Sequence, residues 1–205
     1  MSAAFEGAQL DLELMDPGGP PLVRLFRYPG GDWQEPPLDR RDQRVDPPAG
    51  HAGDYAVLYT ADSLAAVAIE CRILNCDSSD RYTYDVQRTA EYSVVRYQLR
   101  APAIFIPIDG ENKRTLGLRF PDPLYAQHRG VAHQLFGRYG SVVHGLSWAS
   151  YHRHQPGRVY ALWHHHKETV GLAIIPPAPY PKLADDAEWR DLLAAHPEFE
   201  PITAA

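Results

Sequence analysis

Glu70 closes the segment Leu64-Ala-Ala-Val-Ala-Ile-Glu70, which as a helix would be apolar around most of its circumference. A carboxylate in that setting has little water unless it opens onto a cleft or meets an arginine. Either environment suits it to acid–base work or to stabilising positive charge. The plain alternative is an ion pair with Arg72 or a loop arginine, or emergence at the helix surface, and on residue type alone it stands ahead. Arginine is the second resource. Lys113, Lys167 and Lys182 are the only lysines, so arginine carries nearly all the positive charge, and its planar fork grips phosphates and carboxylates. Arg24 and Arg27 fall on an expected strand, where Arg24 needs a partner. Arg40, Arg41 and Arg44 fall in a loop, where solvation explains them equally well. Ser150 follows Leu146-Ser-Trp-Ala149 at a strand end, where a hydroxyl either faces a pocket or forms a turn. His152, His154 and His164–His166 offer acid–base groups, but a strand and its turn account for them as readily. No G-x-S-x-G, P-loop or G-x-G-x-x-G is present, so hydrolase-elbow, NTPase and Rossmann chemistry lack their usual support.

The elements that must position these groups follow from the hydrophobic pattern. Leu22 to Tyr28 reads as a strand, and residues 29–54, dense in Pro, Gly, Asp and Arg, as a long surface loop of the kind that is often functional. Tyr55 to Thr60 is a short strand. Asp62 or Ser63 then caps a helix from about Leu64 to Leu74. Residues 75–91 read as polar loop or edge strand. Tyr92 to Arg100 and Ala103 to Ile108 are strands, and Pro121-Asp-Pro123 opens a helix from Leu124 to Tyr139. Strands at 142–148, 158–164 and 169–175 follow, then a proline break and a short helix near 185–195. Irregular alternation of strands and helices points to an α+β fold: a single domain with mixed or antiparallel sheets and flanking helices. Residues 1–21 form an irregular N-terminal segment, 22–175 the main body, and 176–205 a Pro-rich extension.

The length of 205 residues and net charge of −6 bound the function. A chain this long buries its own core without disulfides or metal. Its acidity argues against direct nucleic-acid or membrane binding while leaving room for a local basic pocket. No stretch approaches the roughly 20 apolar residues of a membrane span. Without a leader pattern, Cys71 and Cys76 are expected as two reduced thiols in a cytoplasmic protein. A zinc site built from them and His164–His166 is the weaker reading, so no metal is expected.

Three stretches, in order, resemble the RES domain, the toxin half of RES–Xre toxin–antitoxin pairs. Leu22-Val-Arg-Leu-Phe-Arg-Tyr28 is similar to the family's opening strand with its arginine. Gln43-Arg-Val-Asp-Pro-Pro48 and Tyr55 to Glu70 are similar to its arginine loop, tyrosine strand and glutamate helix. His144-Gly-Leu-Ser-Trp-Ala-Ser150 with Arg158 to Trp163 is similar to the serine segment and the strand after it. The chain departs from the pattern at Gln43, where glycine is common, and at His144-Gly145, where Asp-Gly is common. The resemblance implies an ADP-ribosyltransferase-like fold and NAD⁺ as substrate rather than a bound cofactor. It implies cleavage of the nicotinamide–ribose bond by water or inorganic phosphate, and an Xre-type antitoxin as partner. Arg24, with Arg27 as its competitor, and Arg44 would hold the pyrophosphate or ribose side. Tyr59 would orient the nicotinamide end, Glu70 would act at the ribosyl centre, and Ser150 would position a ribose or phosphate oxygen. ADP-ribosyl transfer to a protein, or an inert interaction module, are the alternatives.

Overall fold

The computed structural model describes residues 9–77, 79, 81–119, 122, 124–150 and 157–203. Strand β1 (Glu13–Met15) precedes β2 (Leu22–Phe26) and β3 (Val57–Ala61), and helix α1 (Leu64–Glu70) follows. Next come β4 (Leu74–Cys76), β5 (Tyr82–Asp85), α2 (Val86–Glu91), β6 (Ser93–Gln98), β7 (Ala103–Pro107) and α3 (Gly110–Thr115). The chain continues through α4 (Ala126–Tyr139), β8 (Gly145–Ala149), β9 (Arg158–Trp163), β10 (Ala173–Ile174), α5 (Ala187–Ala195) and β11 (Glu200–Ile202). The fold is α+β, as the pattern suggested.

Eight strands form one sheet in the order β1-β7-β8-β9-β3-β2-β6-β10, antiparallel except for the parallel pair β7/β8. A smaller sheet joins β11, β5 and β4. Parallel neighbours need a crossover, and here α3 and α4 supply it. Side chains alternate across a strand, so the main sheet has two buried faces. Val57, Ala161, Trp163, Leu146, Trp148 and Ile106 share one face and pack with Ala132 and Leu135 of α4. On that same face, beyond Ala61 and Val23, lie α1 and the buried Trp189 of α5. Leu22, Leu58, Leu162, Tyr160, Phe105 and Tyr97 occupy the opposite face. Each large side chain fully withdrawn from water contributes about 1.5–3 kcal/mol, and Trp163, Trp189, Tyr97 and Phe105 are all fully buried.

Strands β2 and β3 pair only at Val23 and Ala61, while β2 pairs β6 along its whole length and β3 pairs β9 likewise. The sheet therefore parts between β2 and β3, close to where the arginine and tyrosine segments meet. Arg96 of β6 grips both oxygens of Asp186 (2.9 and 2.8 Å) and Glu188 (2.8 Å), which pins the start of α5 to the sheet.

Several elements differ from the sequence reading, each for a local reason. Helix α1 starts as expected, with Ser63 Oγ accepting from Ala66 N at 3.3 Å, but stops four residues early. Arg72 adopts a left-handed conformation (φ 55°). The Ile73 and Arg72 amides donate back to Ala68 and Ile69 carbonyls (both 2.8 Å), the double closure of a Schellman motif, and Leu74 leaves as β4. Within the expected polar loop, Asp85 caps α2 through Arg88 N at 3.1 Å. The strand expected at 169–175 shrinks to β10 because Gly171, at φ 55°, closes a turn there. His164–His166 form a 3₁₀ turn. Both cysteines are free and half-buried. Among the described residues no helix is long and apolar enough to cross a membrane.

Candidate active site

The long loop delivers Arg44 to the face of the sheet that carries Tyr59 and Trp148. Two tyrosines of the β3 segment fix its approach. The Tyr55 hydroxyl donates to Val45 O (3.0 Å), and the Tyr59 hydroxyl accepts from Val45 N (3.2 Å), so the peptide beside Arg44 is held from both sides. The Arg44 guanidinium then lies 5.1 Å from the Trp148 ring centre and 5.5 Å from that of Tyr125, within cation–π range. Tyr59 meets Trp148 edge-on, with centroids 6.4 Å apart. Burial raises the Tyr59 hydroxyl well above its ordinary pKa, so it stays protonated.

Tyr125 precedes α4 in a left-handed conformation (φ 54°), strained for a bulky residue. The turn is held by Asp122, whose carboxylate accepts from the amides of Ala126, Gln127 and His128 (3.0–3.2 Å) and meets His128 Nδ1 at 2.8 Å. Burial lowers the His128 pKa, and the nearby Arg44 charge acts in the same direction. Asp46 sits in the same loop turn, accepting from Gln43 N at 2.8 Å, with its other oxygen buried and unpartnered among the described residues. Burial pushes its carboxyl up to about 6. Asp46, Trp148 and Tyr125 were not singled out from the sequence, although Asp46 lies inside the Gln43–Pro48 block and Trp148 two residues before Ser150.

Ser150 continues β8, its amide donating to Gly157 O at 2.8 Å. The pleat puts it on the Trp148 side of the strand. It is buried, and its hydroxyl has no hydrogen-bond partner among the described residues. Polar atoms that the fold buries without a partner are uncommon and call for an explanation. His152 and His154 lie outside the described residues.

Glu70 ends α1, half-buried. It shares a helix face with Ala66, one turn earlier. A Cβ at Gly157 would come within 2.6 Å of the Ala66 Cβ, so glycine is what lets the chain reach α1 this closely. The contact carries the backbone partner of Ser150 to the face of the glutamate helix, one turn from Glu70. Next to it, burial pushes the Cys71 thiol up to about 11, leaving it protonated and unreactive near neutrality.

Arg24 of β2 and Arg27 just beyond it separate cleanly. Arg24 is buried at the parting between β2 and β3, and each donor group is engaged. Nε donates to Gly31 O (2.8 Å), Nη1 to Tyr59 O (3.0 Å) and Nη2 to Tyr28 Oη (3.0 Å). It holds Tyr59 by its backbone, and the pleat puts its stem on the opposite sheet face from the Tyr59 ring. Arg27 is exposed, 3.7 Å from Glu91 and over the Tyr92 ring. Arg41, expected in solvent, is buried instead and binds Pro36 O, Ala52 O, Tyr55 O and Glu35 (2.8–3.0 Å), which stiffens the loop that presents Arg44. The structure thus groups Arg44, Tyr59 and Ser150 on one face, with Glu70 at its margin, Arg24 behind Tyr59 and Arg27 apart.

No protein-family model matches the chain, and no curated protein matches it. Among solved structures, one chain of the structure described as "Crystal structure of the M.tuberculosis MbcT-MbcA toxin-antitoxin complex" superposes with a TM-score of 0.51. The identity is 13%, over 87% of this chain and 91% of that one. At that identity the likeness is one of fold, and it spans nearly the whole of both chains.

Proposed function

We propose that this protein is a NAD⁺-consuming toxin of RES type, held in check by an Xre-type antitoxin. The observation that carries this reading is a guanidinium held over two aromatic rings on the sheet face where a buried serine hydroxyl has no partner among the described residues, with a carboxylate on an apolar helix at its margin. That combination suits a dinucleotide. Arg44 binds pyrophosphate oxygens, Tyr59 orients the nicotinamide end, and Ser150 meets a ribose or phosphate oxygen. The fold shared with a chain of a toxin–antitoxin complex supports the biological setting.

In the reaction the bond between the anomeric carbon and the nicotinamide nitrogen breaks. Its electron pair leaves with nicotinamide, which departs neutral and needs no strong general acid. Positive charge develops on the ribosyl carbon, as in glycoside cleavage. Glu70 stabilises it from a setting with little water, where one carboxylate acts more strongly than in bulk solvent. Water or phosphate supplies the oxygen of the new bond, and water's proton passes to solvent. Arg24 serves as a positioning residue through the Tyr59 carbonyl. Binding energy from the pyrophosphate fixes the reacting geometry.

The test is incubation of the purified chain, freed of any antitoxin, with NAD⁺ in the presence and absence of phosphate. Nicotinamide release is expected, and Glu70→Ala should abolish it while circular dichroism stays unchanged. No release under either condition from folded protein overturns the reading.

A further inference from the structure

We propose that His51, Asp54 and His133 form a binding site for one divalent transition-metal ion, zinc above all, which clamps the arginine-bearing loop to α4. One donor atom from each residue lies within 4.8 Å of the other two. Asp54 Oδ2 is 3.0 Å from His51 Nδ1 and 2.7 Å from His133 Nε2, and the two imidazole rings are 4.4 Å apart. Donors around a tetrahedral zinc at about 2.0–2.2 Å stand roughly 3.3 Å from one another, so the two contacts to Asp54 need only small outward shifts to admit an ion. Each imidazole would carry its proton on the other ring nitrogen, Nε2 in His51 and Nδ1 in His133, leaving a lone pair for the metal.

The donor set fits the ion. Two imidazoles and one carboxylate suit zinc and its neighbours in the first transition row, and are poorly matched to calcium or magnesium, which take oxygen ligands. Three protein ligands leave a position for water. A cavity of about 250 Å³ adjoins, lined by Asp54 together with Glu35, Arg41, Tyr55, Phe136 and His165.

The ligands come from two ordered elements. Asp54 N donates to His51 O (2.9 Å) and His51 N to Pro48 O (3.0 Å), so both loop ligands sit on consecutive turns. His133 stands one turn beyond Arg129 on α4, and Arg129 already ties the same loop down through Pro47 O (3.1 Å) and Arg41 O (3.0 Å). A metal at His133 would fasten the second half of the loop as Arg129 fastens the first. Such preorganised ligands from separate elements are what a metal site requires.

The probe is Zn²⁺ alone, titrated by calorimetry into untagged full-length protein, with Co²⁺ absorption reporting the ligand field. One ion per chain is expected, with a raised Tm. Asp54→Asn and His51→Ala, both on the exposed loop, should each weaken binding at least about tenfold, as should His133→Ala. His165→Ala should bind as wild type does. No binding by the wild type overturns the proposal, and so does binding that survives unchanged in Asp54→Asn and His51→Ala when both are folded by circular dichroism. Neither readout involves NAD⁺, so the outcome is independent of the proposed activity.

Discussion

Ser147 and Ser150 stand three residues apart at one end of the β8 segment, both buried, and the pleat sends them to opposite faces of the sheet. Ser147 Oγ donates to Glu13 (2.5 Å) and accepts from Arg158 (3.0 Å). Tyr160 donates to the other Glu13 oxygen (2.8 Å), and Arg158 bridges Glu13 (2.9 Å) and Asp109 (3.2 Å). That network ties the short edge strand β1 and the start of α3 to the centre of the sheet. Arg24 lies toward the same face, with its donors likewise engaged by the protein. On the other face, Ser150 Oγ and one oxygen of Asp46 are buried with no partner among the described residues, near a guanidinium held on aromatic rings. Satisfied polar groups rigidify a fold, whereas unsatisfied ones weaken it unless something else completes them. One face is therefore read as structure and the other as a site.

The sharpest way to break this division is at Arg24. Replacing it by Met keeps the aliphatic stem and strips three acceptors of a charged donor. At about 1.5–3 kcal/mol for each such bond, a stability loss on the order of 5 kcal/mol is expected in urea unfolding. A loss under about 1 kcal/mol would show that the donors are available to a ligand after all.

His164 and the Arg158 Nε are exceptions on the structural face, and neither His164 ring nitrogen has a partner among the described residues. Burial pushes its pKa down from 6.5 to about 3, so the folded protein keeps it neutral. The unfolded chain takes up this proton as pH falls through about 6.5, and the folded chain does so only near pH 3. The unfolded state thus binds more protons over that window, and stability falls as pH drops from 6.5 towards 3. Relative to His164→Leu, the wild type should lose stability progressively over that window, towards a limit of about 5 kcal/mol. Parallel unfolding curves for the two proteins at pH 7 and pH 4.5 would disprove it.

The serine pair gives a reciprocal test. Ser147→Ala leaves Glu13 and Arg158 short of a partner, at a cost of about 1–3 kcal/mol in stability, with nicotinamide release retained. Ser150→Ala should leave Tm nearly unchanged and lower release by about 10²-fold. If both variants lose only stability, the second face is structure as well.

How much of this was legible beforehand divides along similar lines. Alternation gave β2 and β6, short apolar runs gave β3 and β7, and Ser63 announced the start of α1. The end of α1 was hidden because Arg72 takes a conformation that usually signals itself through glycine. Strands β1 and β11 are edges fixed by partners about 90 and 120 residues away, which no local pattern encodes. The resemblance placed Arg44, Tyr59, Glu70 and Ser150 on segments that the fold brings near one another. Trp148, Tyr125 and Asp46 acquire their setting only when the loop is seated by Tyr55 and Tyr59. Arg41 read as a solvated loop residue because nothing local showed that four acceptors would surround it. The metal-ligand trio was equally hidden, since His133 meets Asp54 across 79 residues.

Arg27 supplies the smallest expected effect and so the baseline for the rest. It sits three residues from Arg24, with the same chemistry, yet it is exposed, and its ion pair with Glu91 is 3.7 Å long. An exposed pair contributes between nothing and about 1 kcal/mol, and its contact over Tyr92 adds about 0.5–1 kcal/mol. Arg27→Ala is therefore expected to shift stability by less than about 2 kcal/mol and to leave nicotinamide release unchanged. A large fall in release with stability intact would reassign the working arginine from the buried Arg24 to the exposed Arg27. It would also move the candidate site from the Trp148 face of the sheet toward α2, where Glu91 and Tyr92 lie.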